Sequence, residues 1–526
     1  MTISLRRAAL ASSVSLAALF LAAPMVFAQD AIFVLQQDEV GVPTYNIVAN
    51  GNTNVGARLI YDTLTVQDAD QSFHPGLAES WVEAPDGMSW EFTLKTGVTF
   101  HNGEPFTAAA AAAWLALYAA TDNSYMTASI EKIEAVGDNT LKLTMKNPDP
   151  NLLYNLSSSF MGVVEPKAFA ALGENYGVTE AVGTGPFKME SFTIGSETVL
   201  VRNDDYTWGS SLAENKGPAK IAKITLREIP EESTAFLELK TGGVDMLLGV
   251  PTDFLGELAK EPNITSLSLP GQEVVYMPFN VTRAPFDDIK VRQAAALAVN
   301  QQEILDSVYG GVGSVANQFL ISALPESKVA PEYLISYDPV KSAALLDEAG
   351  WVMGADGVRA KGGVPLSITL WTQSDSVFRR LTEVVQAEFK AVGIASEITT
   401  FDSSMIRDQY KTGEQQAAVR SYYWNNADIV DWFFGGDRLG YPNISMFNDP
   451  KAEALRVKSM SGSANGAERI ANFTAYHEYV LSQFPMAPIY QPVQNIGYNK
   501  DRLVLPAVIH GTRIGAATVL DMTVTE

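Results

Sequence analysis

The sequence predicts an α/β protein with more than one domain. Strand-like and helix-like patterns alternate along the whole chain. Its 526 residues exceed what one hydrophobic core organises. No long Gly/Ser-rich tether separates the parts, so short strands or loops must join them.

The elements follow in chain order. Arg6 and Arg7 precede an apolar stretch from Ala8 to Ala23, and Val26-Phe27-Ala28 offers small residues for cleavage before Gln29. Residues 1–28 therefore read as a secretory signal peptide, its apolar core being short for a membrane span. Trp90-Glu91-Phe92-Thr93-Leu94-Lys95 alternates with period two, which predicts a strand with one buried face. Thr107 suits an N-cap, and the alanine run after it, ending in Trp114, Leu115, Leu117 and Tyr118, predicts a helix. Asp338-Pro339 opens a second helix with Leu345, Leu346 and Ala349 on one face and Gly350 at its end. Val377, Phe378, Leu381, Val384, Val385, Phe389 and Val392 fall at helical spacing. Gly393 closes that helix, and Ala395 to Thr400 reads as a following strand, a crossover unit.

Composition narrows the function. The formal net charge is −23, which argues against nucleic acid or an anionic membrane as partner. There is no cysteine, so disulfides, thiolate metal sites and a lipid anchor on the new N-terminus are excluded. With the signal peptide, this predicts a free periplasmic protein without a membrane anchor, and a monomer by default. No later stretch reaches the roughly 18 apolar residues of a membrane span.

Catalytic signatures are missing. His477-Glu478-Tyr479-Val480-Leu481 starts like a zinc-protease helix, but Leu481 stands where the second histidine belongs. No Gly-x-Ser-x-Gly elbow occurs. Gly311 to Ala316 loosely mimics a dinucleotide loop but follows a helix. His74, His101, His477 and His510 are dispersed and show no converging ligand set. Asp428 and Asp431 could be imagined as a glycosidase pair, but solvated or capping roles suit them better. No catalytic residue, cofactor or metal ligand is expected.

A set of short segments carries more information jointly than singly. They are Tyr61-Asp62-Thr63-Leu64, Gly76 to Trp81, Trp90 to Gly103, Pro105 to Ala108, Gly183-Thr184-Gly185-Pro186-Phe187 and Arg202 to Trp208. Further on come Gly243-Val244-Asp245, Phe279-Asn280, Pro285-Phe286, Val291 to Ala294, and Tyr337-Asp338-Pro339 through Gly350-Trp351. In order and spacing the chain resembles the peptide/opine/nickel-binding class of extracellular solute-binding proteins, over nearly all of the mature sequence. Most of these pieces are turns, caps and core strands, which identify a fold and not a ligand. His101, for one, suits a satisfied turn histidine.

The resemblance implies a two-lobed periplasmic-binding-protein fold with a hinge and an extra domain inserted in the first lobe. Lobe I would be 29–65, 183–275 and 488–526; the inserted domain 66–182; and lobe II 276–487. It implies capture of a small-molecule or peptide ligand between closing lobes and delivery to the permease of an ABC importer. A periplasmic hydrolase with a similar cleft is the alternative.

For the site, the resemblance directs attention to the segment Arg420 to Trp432, a strand ending in tryptophan and the polar loop after it, with Tyr422, Trp424, Asn425, Asn426 and Asp428 as the expected contacts. That mix of aromatic, amide and carboxylate suits a polar organic solute. A second segment holds Trp371, Thr372 and Gln373, where peptide-binding relatives place an arginine for the peptide carboxylate. They also place an aspartate three residues after the tryptophan; here that is Ala427, with Asp428 one step on. Arg379 and Arg380 suit a helix surface. These departures point away from a free-ended dipeptide and towards a neutral or differently charged solute: a sugar conjugate, an opine-like compound, an oligosaccharide or a peptide held by its backbone. Asn52 and Asn54 in the 50–54 loop, and Tyr276, complete the expected ligand contacts.

Overall fold

The structure is a computed structural model and describes residues 30–36, 39–49, 53–121, 123–402, 405–462 and 466–525. The expected signal peptide and Asn52 lie outside the described residues.

Local signals set the elements. Thr107 accepts from the Ala110 N–H and starts helix Ala108–Ala116, whose Trp114 donates to the Gly162 carbonyl at 2.9 Å. Asp338 caps Pro339–Glu348, and Asp375 caps Ser376–Ala391, which buries Leu381, Val385 and Phe389. Strand Ala395–Phe401 returns parallel to Ser367–Gln373 across that helix, as the crossover pattern predicts. The 89–94 strand is buried at alternate positions, as period two requires.

Two large apolar clusters result. The first draws on residues from Ala31 to Leu248 and again from Leu269 and the C-terminal segment up to Met522. It encloses a seven-stranded sheet in the order 264–270, 493–499, 246–247, 30–34, 223–227, 197–202, 187–193. A four-stranded antiparallel sheet, 78–83, 89–94, 140–145 and 130–136, packs into the same cluster. The second cluster runs from Val274 to Tyr490. It holds the antiparallel sheet 314–315, 486–491, 273–278, 420–423 and the parallel sheet 395–401, 367–373, 417–418.

The chain passes between these two bodies twice, side by side. Strand Ile264–Pro270 runs through Gly271 and Gln272 into Glu273–Pro278, and Met486–Gln491 runs through Pro492 into Val493–Asn499. The crossovers touch: a Cβ on Gly271 would stand 1.7 Å from the Pro492 carbonyl oxygen, so only glycine fits there. The lobe joints expected near 275 and 487 fall inside strands, a few residues from these crossovers.

Candidate ligand-binding cleft

A cavity of about 960 Å³ opens between the two bodies. The second body contributes strand Arg420–Tyr423, Trp424, Asn425, Trp432 and Gln373, together with Arg407 and Tyr410 on helix Ile406–Lys411. Across from them stand Arg58, Asp62, Asp68, Tyr154, His510 and Arg513 from the first body. The bodies meet around it. Asn425 Nδ2 donates to Gln67 Oε1 at 2.7 Å, Trp424 packs on Tyr154 with ring centroids 5.9 Å apart, and Arg380 pairs with Asp253 at 3.5 Å.

Charge is distributed unevenly in the cleft. Arg58 and Arg513 both hold Glu39, at 2.6 and 2.7 Å, and that fully enclosed carboxylate is therefore neutralised. Burial would raise the Glu39 pKa, but the two guanidinium groups outweigh it and hold it low. Asp62 is pushed up to about 6 by burial, against donors from Tyr206, Thr184 and Trp208 at 3.0 to 3.1 Å. Among the described residues, Arg407 and Arg420 are the lining arginines with no carboxylate partner.

Arg420 is the unusual one. It is 5% exposed, yet its guanidinium makes no hydrogen bond or ion pair among the described residues. Its Cζ sits 5.4 to 5.9 Å from the ring centroids of Tyr276, Tyr410, Tyr422 and Tyr441. Burial raises the Tyr276, Tyr410 and Tyr422 hydroxyls, Tyr410 to about 12, so those phenols stay neutral and offer no counter-charge. Arg420 Nη1, Tyr410 Oη and Tyr276 Oη are all buried without a partner. A buried guanidinium in this state is costly unless something else meets it.

The expected contacts divide. Tyr422, Trp424, Asn425 and Gln373 line the cavity. Asn426 is buried between the bodies instead: it donates to Asn151 Oδ1 at 2.8 Å and accepts from Arg469 at 2.5 Å. Asp428 lies behind the wall, accepting the Trp424 indole N–H at 2.5 Å, and burial, aided by Asp431 and Asp149, pushes it up to about 7. Trp371 packs inside a small cluster with Ile406, Tyr410 and Ile444. Asn54 caps helix Val55–Ile60. Tyr276 backs Arg420 without lining the cavity. Arg420, which opens the favoured segment, and Arg407, Tyr154 and His510 are cleft residues to which the sequence reading gave no ligand role. Period-two alternation from Tyr422 would have pointed to Arg420.

Other polar groups have ordinary partners. His101 accepts from the Gly183 N–H and meets the Gly185 carbonyl at 3.0 Å, and burial lowers it to about 4, the satisfied turn histidine that was expected. Asp68, Asp70 and His74 bring ligand atoms within 4.8 Å of one another, an approach hidden in the sequence. Ser72 links Asp70 to His74, and Asp68 accepts from Gly511 and His510 of the C-terminal segment, so hydrogen bonds of the hairpin and that segment account for the cluster.

This double-bodied cleft has known counterparts. Residues 72–437 match the family described as bacterial extracellular solute-binding proteins, family 5. The chain belongs to that family. A nickel-binding periplasmic protein of Escherichia coli (strain K12) is 31% identical over 369 residues, 68% of each chain. Di/tripeptide-binding protein 1 of Pseudomonas aeruginosa (strain UCBPP-PA14) is 26% identical over 530 residues, 93% of this chain and 94% of that one. The crystal structure of NikA from Brucella suis in complex with Fe(III)-EDTA superposes with a TM-score of 0.81 at 23% identity, covering 94% of this chain and all of that one. Family-5 proteins are the substrate-binding components of ABC importers and not enzymes, so the hydrolase alternative has no support. The two bodies are the two lobes of that fold. No helix among the described residues is long and apolar enough to cross a membrane.

Proposed function

We propose that this family-5 protein captures an anionic organic solute, one bearing a carboxylate or a comparable acid, and delivers it to an ABC permease from the periplasm. The observation that carries the reading is Arg420: a buried cation, in a cleft wall, with no counter-ion among the described residues. A bound carboxylate would supply two charge-assisted hydrogen bonds and cancel the charge. Trp424 and Tyr154 offer apolar faces for the rest of the solute, and Asn425, Gln373 and Gln67 offer amides. The sequence pointed to a cleft short of guanidinium groups near Gln373; the strand at 420 supplies one from another direction. The di/tripeptides named for one relative and the EDTA complex in another both carry carboxylates.

Lobe I, the inserted domain and lobe II are taken in the order expected from the sequence, with bending at Gly271–Gln272 and Pro492. The solute contacts both lobes only when they are closed, and so shifts the population towards closure. Residues 1–28 are proposed as the signal peptide that exports the chain. A thermal-shift panel tests the reading: peptides, opine-like acids, metal–carboxylate chelates, neutral oligosaccharides and polyamines. Stabilisers should be acids; stabilisation by neutral sugars or polyamines alone would refute the anionic assignment.

A further inference from the structure

A second cavity, of about 350 Å³, lies in lobe II away from the cleft. Helix Ser376–Ala391 starts just after the cleft residue Gln373 and carries Glu388 into this cavity about 18 Å further along its axis, at 1.5 Å per residue. Tyr337, Val340 and Met353 form the rim, and they are 44%, 81% and 45% exposed. Three large apolar side chains left in water around one hole are unusual on so acidic a chain.

The floor is the informative part. Glu388 is 9% exposed, and among the described residues no side chain hydrogen-bonds either carboxylate oxygen; the polar group that faces it is the Asn300 backbone N–H. Burial pushes its carboxyl up to about 8, against the Asn300 backbone N–H, and Glu303 raises it further. Among the described residues no cation answers it. Arg359, in the same wall, is committed to Asp347 at 2.5 Å and to the Trp351 and Val392 carbonyls at 2.7 and 2.8 Å. Lys290, on a neighbouring helix, is held by Glu348 at 3.0 Å.

We propose that this pocket is a second ligand site, which takes a primary ammonium group on a short apolar stem, with Glu388 as its acceptor. The stem packs against Tyr337, Val340 and Met353 while the ammonium reaches the floor, the division of labour a lysine-like chain favours. Such a group comes either as a free amine or as a lysine side chain of a protein partner. The site stands independently of the cleft reading.

The binding carries a pH signature. An ammonium holds Glu388 ionised, so binding releases a proton wherever the free carboxyl is still protonated. Affinity should rise about tenfold for each pH unit below 8 and level off above it. Titration of the whole mature protein with butylammonium chloride, followed by amide NMR between pH 6 and 9, reads this. Shifts should centre on Tyr337 and Ala391, follow that pH course, and weaken at least tenfold with loss of pH dependence in Glu388→Gln, while n-butanol binds no better than to Glu388→Gln. Unchanged affinity in Glu388→Gln, equal binding of n-butanol, or no shifts at these residues would overturn the proposal. Nα-acetyl-lysine N-methylamide separates the sources: tighter binding than butylammonium marks a protein side chain, weaker binding marks a free amine, and either keeps the site.

Discussion

Replacing Arg420 by methionine removes the guanidinium while keeping an unbranched apolar stem among Tyr276, Tyr410, Tyr422 and Tyr441. In the unliganded protein this should cost little. The cation is buried without an ion pair, so its desolvation penalty disappears together with its ring contacts, and the two oppose each other. The melting temperature of the free protein should stay within a few degrees or rise. The liganded state is different. Deleting one partner of a buried charged pair costs about 2–5 kcal/mol, and about 3 kcal/mol corresponds to on the order of 100-fold in Kd. Calorimetric titration of wild type and variant with the acid identified in the panel measures the ratio, and scanning calorimetry of the free proteins gives the control. Affinity within threefold of wild type, in a variant that melts normally, would refute the argument that Arg420 meets the solute.

Four further outcomes are expected. Trp424→Ala removes an aromatic wall shared with Tyr154 and should weaken binding about tenfold; it also strips buried Asp428 of its indole donor, so the melting temperature should fall as well, read by titration and calorimetry together. Asn426→Ala should weaken binding severalfold although Asn426 lies outside the cavity, because it loses the bond to Asn151 that joins the lobes, worth about 1 kcal/mol. Asp428 has a folded-state pKa of about 7, raised above its unfolded value, so its ionisation penalises the fold increasingly as pH climbs from about 4 to 7 and fully above that. Asp428→Asn should therefore raise the melting temperature at pH 8 and leave it nearly unchanged at pH 4. Gly271→Ala forces the two crossovers apart and should destabilise the protein by about 2 kcal/mol or more, with an altered scattering profile for closure.

Much of the fold was readable because its signals are local. Thr107, Asp338 and Asp375 cap the helices they precede, and the alternation at 89–94 and the crossover from 376 to 401 need only short windows of sequence. The site was readable in part. The tryptophan strand end and its first amide face the cavity, but one residue further the reading parts from the structure. Asn426 has partners at Asn151 and Arg469, 275 and 43 positions away, and no local pattern encodes contacts at such separations. Trp371 belongs to the interior because Phe401 and Tyr410 come to pack on it. Asn54 satisfies its own helix terminus, the commoner fate of an asparagine before an apolar run. The first-lobe wall, from Arg58 to Arg513, is assembled from distant segments, and Glu39, which only the folded chain brings between those two arginines, cancels one of their two charges.

Native mass spectrometry of the protein taken directly from its own host, with release and identification of whatever it carries, reaches the cleft's chemistry without assuming a ligand. A co-purifying molecule with an ionised acid group, lost from Arg420→Met, is the expected finding. A neutral or purely cationic guest retained equally by both proteins would contradict the role given to the unpaired guanidinium.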